Sequence, residues 1–242
     1  FLVSYVEATT GLPEASFDLW EEKYGTSTYT TASVIAGLTA AARFAQLLGK
    51  DEPARTYSAV TDRMQSALVT TLYDEELGAF VKHVRHTSDG ELEYDRTIDT
   101  SSLHGLLFFE VLDHSDPRVV STLKAVEERL AVHGESRGFV RYENDTYYTQ
   151  QAAGSPNPWV ICTLWVARYH IAQATDEASL AYPLELLEWT CSHATRSGML
   201  AEQMQPQTRE HLSASPLVWS HAEFVLTVLQ YLDKRSEITA KE

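Results

Sequence analysis

Three stretches of this 242-residue sequence gather side chains that could do chemistry. The first is Asp18-Leu19-Trp20-Glu21-Glu22. It reads either as a solvated acidic turn with an indole anchored in the core, or as carboxylates poised for acid–base work beside an aromatic face. The second runs from Gly138 to Tyr148 as Gly-Phe-Val-Arg-Tyr-Glu-Asn-Asp-Thr-Tyr-Tyr and leads to Asn157-Pro158-Trp159. Aromatic faces with a few charged donors such as Arg141 suit an uncharged, hydroxyl-rich ligand, although the same composition also serves a packing loop. The third is Gly198-Met-Leu-Ala-Glu-Gln-Met204, followed by Leu212-Ser-Ala-Ser-Pro216. Glu202 there is a lone carboxylate in an apolar setting, which is either a paired structural group or one with a tuned proton affinity.

Other chemistries lack their residues. The nine histidines form no H-E-x-x-H pattern. His83 and His86 fall in an expected hairpin loop with no third ligand indicated. There is no glycine-rich phosphate loop and no G-x-S-x-G elbow. Asp95 and Asp99, four apart, lack the further aspartates of a metal–diphosphate cluster. Two cysteines, Cys162 and Cys191, rule out a disulfide framework and read as buried free thiols. The charge of 19 − 34 = −15 disfavours phosphate backbones and anionic membrane surfaces. The longest apolar candidates, Pro158 to Ala167 and Pro216 to Leu232, fall short of the roughly 18 uncharged residues a membrane helix needs. The expectation is therefore no metal, no cofactor, no nucleic-acid partner and no membrane partner.

The elements that must position these stretches are helical. Apolar residues recur at spacings of three and four in seven segments: from about Val34 to Leu48, Asp51 to Thr71, Thr100 to Leu112, Asp116 to Leu130, Asn157 to Ala174, Glu177 to His193 and Ser215 to Leu232. Asp51 reads as the cap of the second. Asp116-Pro117, Asn157-Pro158 and Ser215-Pro216 read as polar caps followed by proline at the first helical position. Phe80 to Val84 and Phe139 to Tyr142 are expected as short hairpin arms. Short connections make antiparallel helix hairpins, and three long segments lie between the hairpins. In a ring of such hairpins, the first helices run parallel and the loops before them gather at one end, with the positive helix-dipole ends. Two acidic sites from different loops at that end suggest a pair of carboxylates. Glycoside hydrolysis needs such a pair, one to protonate the leaving oxygen and one to activate water or attack carbon.

Taken together and in order, Asp18 to Glu22, Arg141 to Asp145 with Tyr147, Tyr148 and Asn157-Pro158-Trp159, and Ala201-Glu202-Gln203 with Leu212-Ser213-Ala214 and Trp219-Ser220 resemble the motifs of the glucoamylase and glucodextranase family of inverting glycoside hydrolases, family 15. The resemblance implies an all-α fold, the (α/α)6 barrel of six inner and six outer helices with a pocket at one end. It implies that Glu21 is the general acid and Glu202 the general base. Trp20, Glu22, Arg141, Tyr148, Trp159 and Gln203 are then substrate-binding residues. The substrate implied is an α-glucan or oligosaccharide, cut from the non-reducing end with release of β-glucose; trehalose, an α-1,6 linkage and a non-catalytic glucan-binding role are the alternatives. An inverting pair sits roughly 6.5–9.5 Å apart, leaving room for the water. Seven helices plus a helical tail at Phe1 to Glu7, set against twelve, give the expectation that residues 1–242 are the C-terminal portion of one catalytic domain. The initial Phe agrees. The remaining helices and any β-sandwich domain would then lie outside this sequence, and with no leader visible a cytoplasmic location is expected.

Overall fold

Helices form where the three-and-four spacing predicts them. The computed structural model describes residues 1–133, 137–149 and 156–240. Among these are seven α-helices: α1 Thr28–Leu47, α2 Asp51–Ala67, α3 Thr100–Phe108, α4 Pro117–Leu130, α5 Val160–Gln173, α6 Ala181–Ser192 and α7 Val218–Thr239. The chain divides into two units, Phe1–Ala125 and Val126–Glu242, with the division inside α4.

In the first unit α1 packs against both α2 and α3. Ser27 starts α1, its hydroxyl accepting the Thr30 N–H at 3.0 Å. Asp99 starts α3 in the same way, accepting the Ser101 N–H at 2.7 Å. Every residue of α3 from Thr100 to Leu106 is buried, which marks an inner helix rather than an amphipathic surface one. At Gly105 an added Cβ would lie 3.0 Å from the Tyr29 backbone, so α1 and α3 approach closely there. α2 runs on into a π-helical turn at Leu68–Leu72.

Between the helices the first unit carries more strand than the sequence suggests. β1 (Ser16–Phe17), β2 (Tyr24–Ser27), β5 (His83–His86) and β6 (Leu92–Asp95) form a four-stranded antiparallel sheet in the order β1-β2-β5-β6. β3 (Tyr73–Asp74) and β4 (Ala79–Phe80) make a separate hairpin. The expected arm at Phe80 to Val84 is thus split between two sheets. His83 and His86 are not in a loop but at the two ends of β5.

In the second unit α5 packs against α6 and α7. Ten of its residues are buried, among them Val160 to Ala167 without a break. A core of Val160, Leu164, Leu187, Trp189, Leu200, Ala201 and Met204 ties α5 and α6 to the Glu202 segment. Single β-bridges join Ala131 to Phe139, Phe139 to Trp159 and Trp159 to Gln203. β7 (Gln203–Met204) and β8 (His211–Leu212) form a short hairpin before α7.

Several local expectations need correction. Lys50, not Asp51, occupies the cap position of α2, and no side chain caps it. Of the three polar–proline starts only Asp116 behaves as a cap, accepting the Arg118 N–H at 2.9 Å. α5 begins two residues beyond Pro158 because Trp159 is held extended by its bridges. α7 begins two residues beyond Pro216, with Leu217 extended before it. The segment Phe1 to Glu7 holds one 3₁₀ turn, Leu2–Ser4, rather than a helical tail. Cys162 is buried as expected, but Cys191 is exposed on α6.

Candidate active site

The first motif sits on the turn between β1 and β2. Its conformation is fixed from below. The Asp18 carboxylate accepts the N–H groups of Glu22 at 2.9 Å and Lys23 at 3.2 Å, and the Asp18 carbonyl accepts that of Glu21 at 3.0 Å. Glu21 adopts φ +58°, a left-handed conformation costly for a residue with a Cβ, and the turn over-determines it. Trp20 points its indole N–H at Asp99, 3.0 and 3.2 Å from the two oxygens. Lys82, from the link between β4 and β5, closes the arrangement: its ammonium lies 3.4 Å from Asp18 and 3.1 Å from Asp99. All three charged groups are buried, whereas Glu21 and Glu22 are exposed above them. Among the described residues Asp18 Oδ2 has no hydrogen-bond partner, and it lies 3.4 Å from the Lys82 ammonium.

The second and third motifs meet in the second unit. Arg141 is buried and pairs in bidentate fashion with Asp145, Nε and Nη2 donating at 2.8 and 2.9 Å. Its guanidinium carbon lies 4.5 Å from the Trp159 ring, 4.9 Å from Tyr142 and 5.0 Å from Tyr147. Planar delocalised charge against aromatic faces is an arrangement lysine could not reproduce. Asp145 also accepts the Tyr147 N–H at 2.9 Å. Tyr148 stands exposed at φ +57°, edge-on to Tyr147.

Glu202 is half-buried on a segment held on both sides. Its N–H donates to Ala214 at 2.9 Å and its carbonyl accepts the Val160 N–H at 3.1 Å, which fixes it at the start of α5. The Ser220 hydroxyl donates to the preceding carbonyl of Ala201 at 2.8 Å. Gln203, fully buried, accepts from the Asn157 amide at 2.8 Å and donates to the Glu202 carboxylate at 3.3 Å. Gln203 therefore sits against Glu202 and orients it.

The structure thus brings Arg141, Trp159, Gln203 and Glu202 together in one unit and sets Trp20, Glu21 and Glu22 on the other. Sequence reasoning missed Lys82 and Asp99. A signal existed: Lys82 is the one charge in the run Ala79-Phe80-Val81-Lys82, and a lone cation in an apolar stretch needs a buried partner.

The family model for glycosyl hydrolases family 15 matches residues 1–189 and 181–229. The chain belongs to this family. An uncharacterized glycosyl hydrolase of Methanocaldococcus jannaschii is 29% identical over 88% of this chain and 34% of its own length. A glucoamylase of a Clostridium species is 27% identical over 88% of the chain and 33% of its own. A trehalase of Mycolicibacterium smegmatis is 21% identical over 96% and 32%. Among solved structures, a bacterial glucoamylase complexed with acarbose superposes with a TM-score of 0.76 at 25% identity, covering 89% of this chain and 35% of that one. The mostly helical structure is similar to part of the (α/α)6 barrel of that glucoamylase. It spans about a third of the length of the relatives it matches.

Proposed function

We propose that the polypeptide carrying this chain is an inverting, exo-acting glycoside hydrolase that releases β-glucose from the non-reducing end of an α-glucan. The observation that carries this reading is the pair of exposed or half-exposed glutamates, Glu21 and Glu202, each on a rigidly held backbone within a family-15 chain. Glu21 donates its proton to the glycosidic oxygen as that bond breaks. Glu202 takes a proton from the water that attacks the anomeric carbon from the opposite face. The water's oxygen becomes the new hydroxyl, and the configuration inverts. Preorganised loops suit this role because the acid and base must meet the reacting atoms within a few tenths of an ångström. Arg141 and its aromatic layer, with Trp20, Glu22 and Tyr148, would grip the sugar. Gln203 would keep the Glu202 carboxylate facing the water.

Glucose release from maltose, isomaltose, starch, dextran and trehalose tests the reading, with the anomer followed by NMR before mutarotation. Glu21→Gln and Glu202→Gln should each lower kcat by about 10²–10⁴-fold, the usual worth of acid–base catalysis, and leave the fold intact. Undiminished turnover in Glu202→Gln overturns the assignment. A second reading, trehalose as the substrate, is favoured by the trehalase relative; release of glucose from trehalose alone would select it.

A further inference from the structure

The Asp18–Lys82–Asp99 cluster has no place in the chemistry of the two glutamates, yet it is an unusual thing to bury. Two carboxylates and one ammonium are each at most 4% exposed at the side chain. Desolvating three charges is costly, and apolar residues would usually pack the same volume at no loss of stability. The cluster's contacts show what it does. Asp18 gathers the backbone of the turn through Glu22 and Lys23. Asp99 fixes the indole of Trp20 and starts α3. Lys82 adds an ionic link to the Trp20–Asp99 hydrogen bond, for its ammonium touches both carboxylates, that of Asp18 beneath the turn and that of Asp99 at the start of α3. Glu21 lies on that turn, its left-handed backbone held by the contacts of Asp18.

We propose that Lys82 is a positioning residue for the general acid: it locks Asp18 to Asp99, so that the Trp20–Glu22 turn presents the Glu21 carboxyl in one orientation. The inference rests on the assignment of Glu21 as the acid. It predicts a particular failure when Lys82 is lost. Two buried carboxylates then face each other without their cation, the turn loosens, and proton donation suffers. Water activation by Glu202, on the other unit, does not.

Leaving-group dependence separates these steps. Maltose, or trehalose if that is the substrate, needs a proton on its departing oxygen, whereas α-glucosyl fluoride departs with little protonation. Lys82→Met in the polypeptide carrying this segment should lower kcat on the natural disaccharide by about 10–100-fold, the usual cost of misplacing a catalytic group by an ångström. On the fluoride it should stay within about threefold. Lys82→Arg, which keeps the cation, should recover most of the loss. Glu21→Gln gives the reference, with the same split and a larger magnitude. Equal loss on both substrates, or no loss on the disaccharide, overturns the proposal. Where Lys82→Met does not melt cooperatively, Asp18→Asn decides by the same ratio, since it keeps the oxygen that accepts the Glu22 and Lys23 N–H groups and removes the charge that Lys82 binds. If Glu21→Gln itself shows no split, the acid assignment has failed and this inference falls with it. If Glu21→Gln shows the split and the Lys82 and Asp18 variants do not, only the anchoring is wrong.

Discussion

At the level of single residues, the site divides into groups that face solvent and groups that hold them. Glu21, Glu22 and Tyr148 are exposed, while Asp18, Lys82, Asp99, Arg141, Asp145 and Gln203 are buried. The motifs were legible because the solvent-facing residues are clustered in sequence. Their partners were not, because Lys82 and Asp99 lie more than sixty residues from Asp18 and meet it only through the sheet and α3. Arg141 reads differently once its surroundings are known. Sequence suggests a donor for sugar hydroxyls; the structure shows a guanidinium spent in large part on Asp145 and three rings. Arg141→Ala should therefore damage stability before it damages binding. Asp145, 2% exposed, would lose its counter-charge, and an orphaned buried charge costs about 3–5 kcal/mol. Urea unfolding should show the midpoint falling by a corresponding amount; a change under about 0.5 kcal/mol, typical of surface substitutions, would mean the pair is not structural.

At the level of elements, helices were the legible part and strands the illegible one. A 3.6-residue period repeats over ten or more residues, so α1, α2 and α4 to α7 declare themselves. Two- and four-residue strands such as β1 and β2 give too few alternations to register, and their pairing partners β5 and β6 are distant in the chain. The consequence for the site is direct, since that sheet carries the acid turn. The helix starts were over-read for a related reason. Asn157-Pro158 has the composition of a cap, but its side chain is engaged with Gln203 and its neighbour Trp159 with a bridge. Inner helices also hide their own signal: α3 and α5 are buried on nearly all faces, so an apolar stripe describes only part of what packs. Close packing of α3 on α1 makes Gly105 a sensitive position. Gly105→Ala would bring a methyl to 3.0 Å from both the backbone and the ring of Tyr29. Overpacking of that kind costs about 1–3 kcal/mol, offset in part by alanine's better helix propensity. A thermal melt should show a lower midpoint for Gly105→Ala, and an unchanged or raised one would mean that α3 can shift away from Tyr29.

At the level of the whole molecule, charge and burial make opposing demands as pH falls. The chain carries a formal charge of −15 and has a sequence pI near 5.0, so acidification relieves self-repulsion and should favour the folded state. Two buried histidines act the other way, one in each unit. Burial is the main cause in both cases and holds each imidazole below its usual value. Asp95 works against this at His83 and Lys82 with it; at His193 the Trp189 carbonyl works against it and Arg209 with it. An unfolded chain takes up these two protons near pH 6.5, before the folded chain does. Between the two values the unfolded state binds more protons, so stability falls as pH drops through about 6.5. Salt separates the two effects. At about 0.5 M ionic strength the Debye length is only several ångströms, which screens repulsion between dispersed surface carboxylates but not desolvation of a buried ring. Melting temperature measured from pH 7.5 to 5.5 in high salt should therefore decline. His83→Gln and His193→Gln should each flatten the decline over that range, whatever they do to stability at pH 7.5. A slope that the two substitutions leave unchanged would show that these imidazoles take up protons in the folded chain as readily as in the unfolded one.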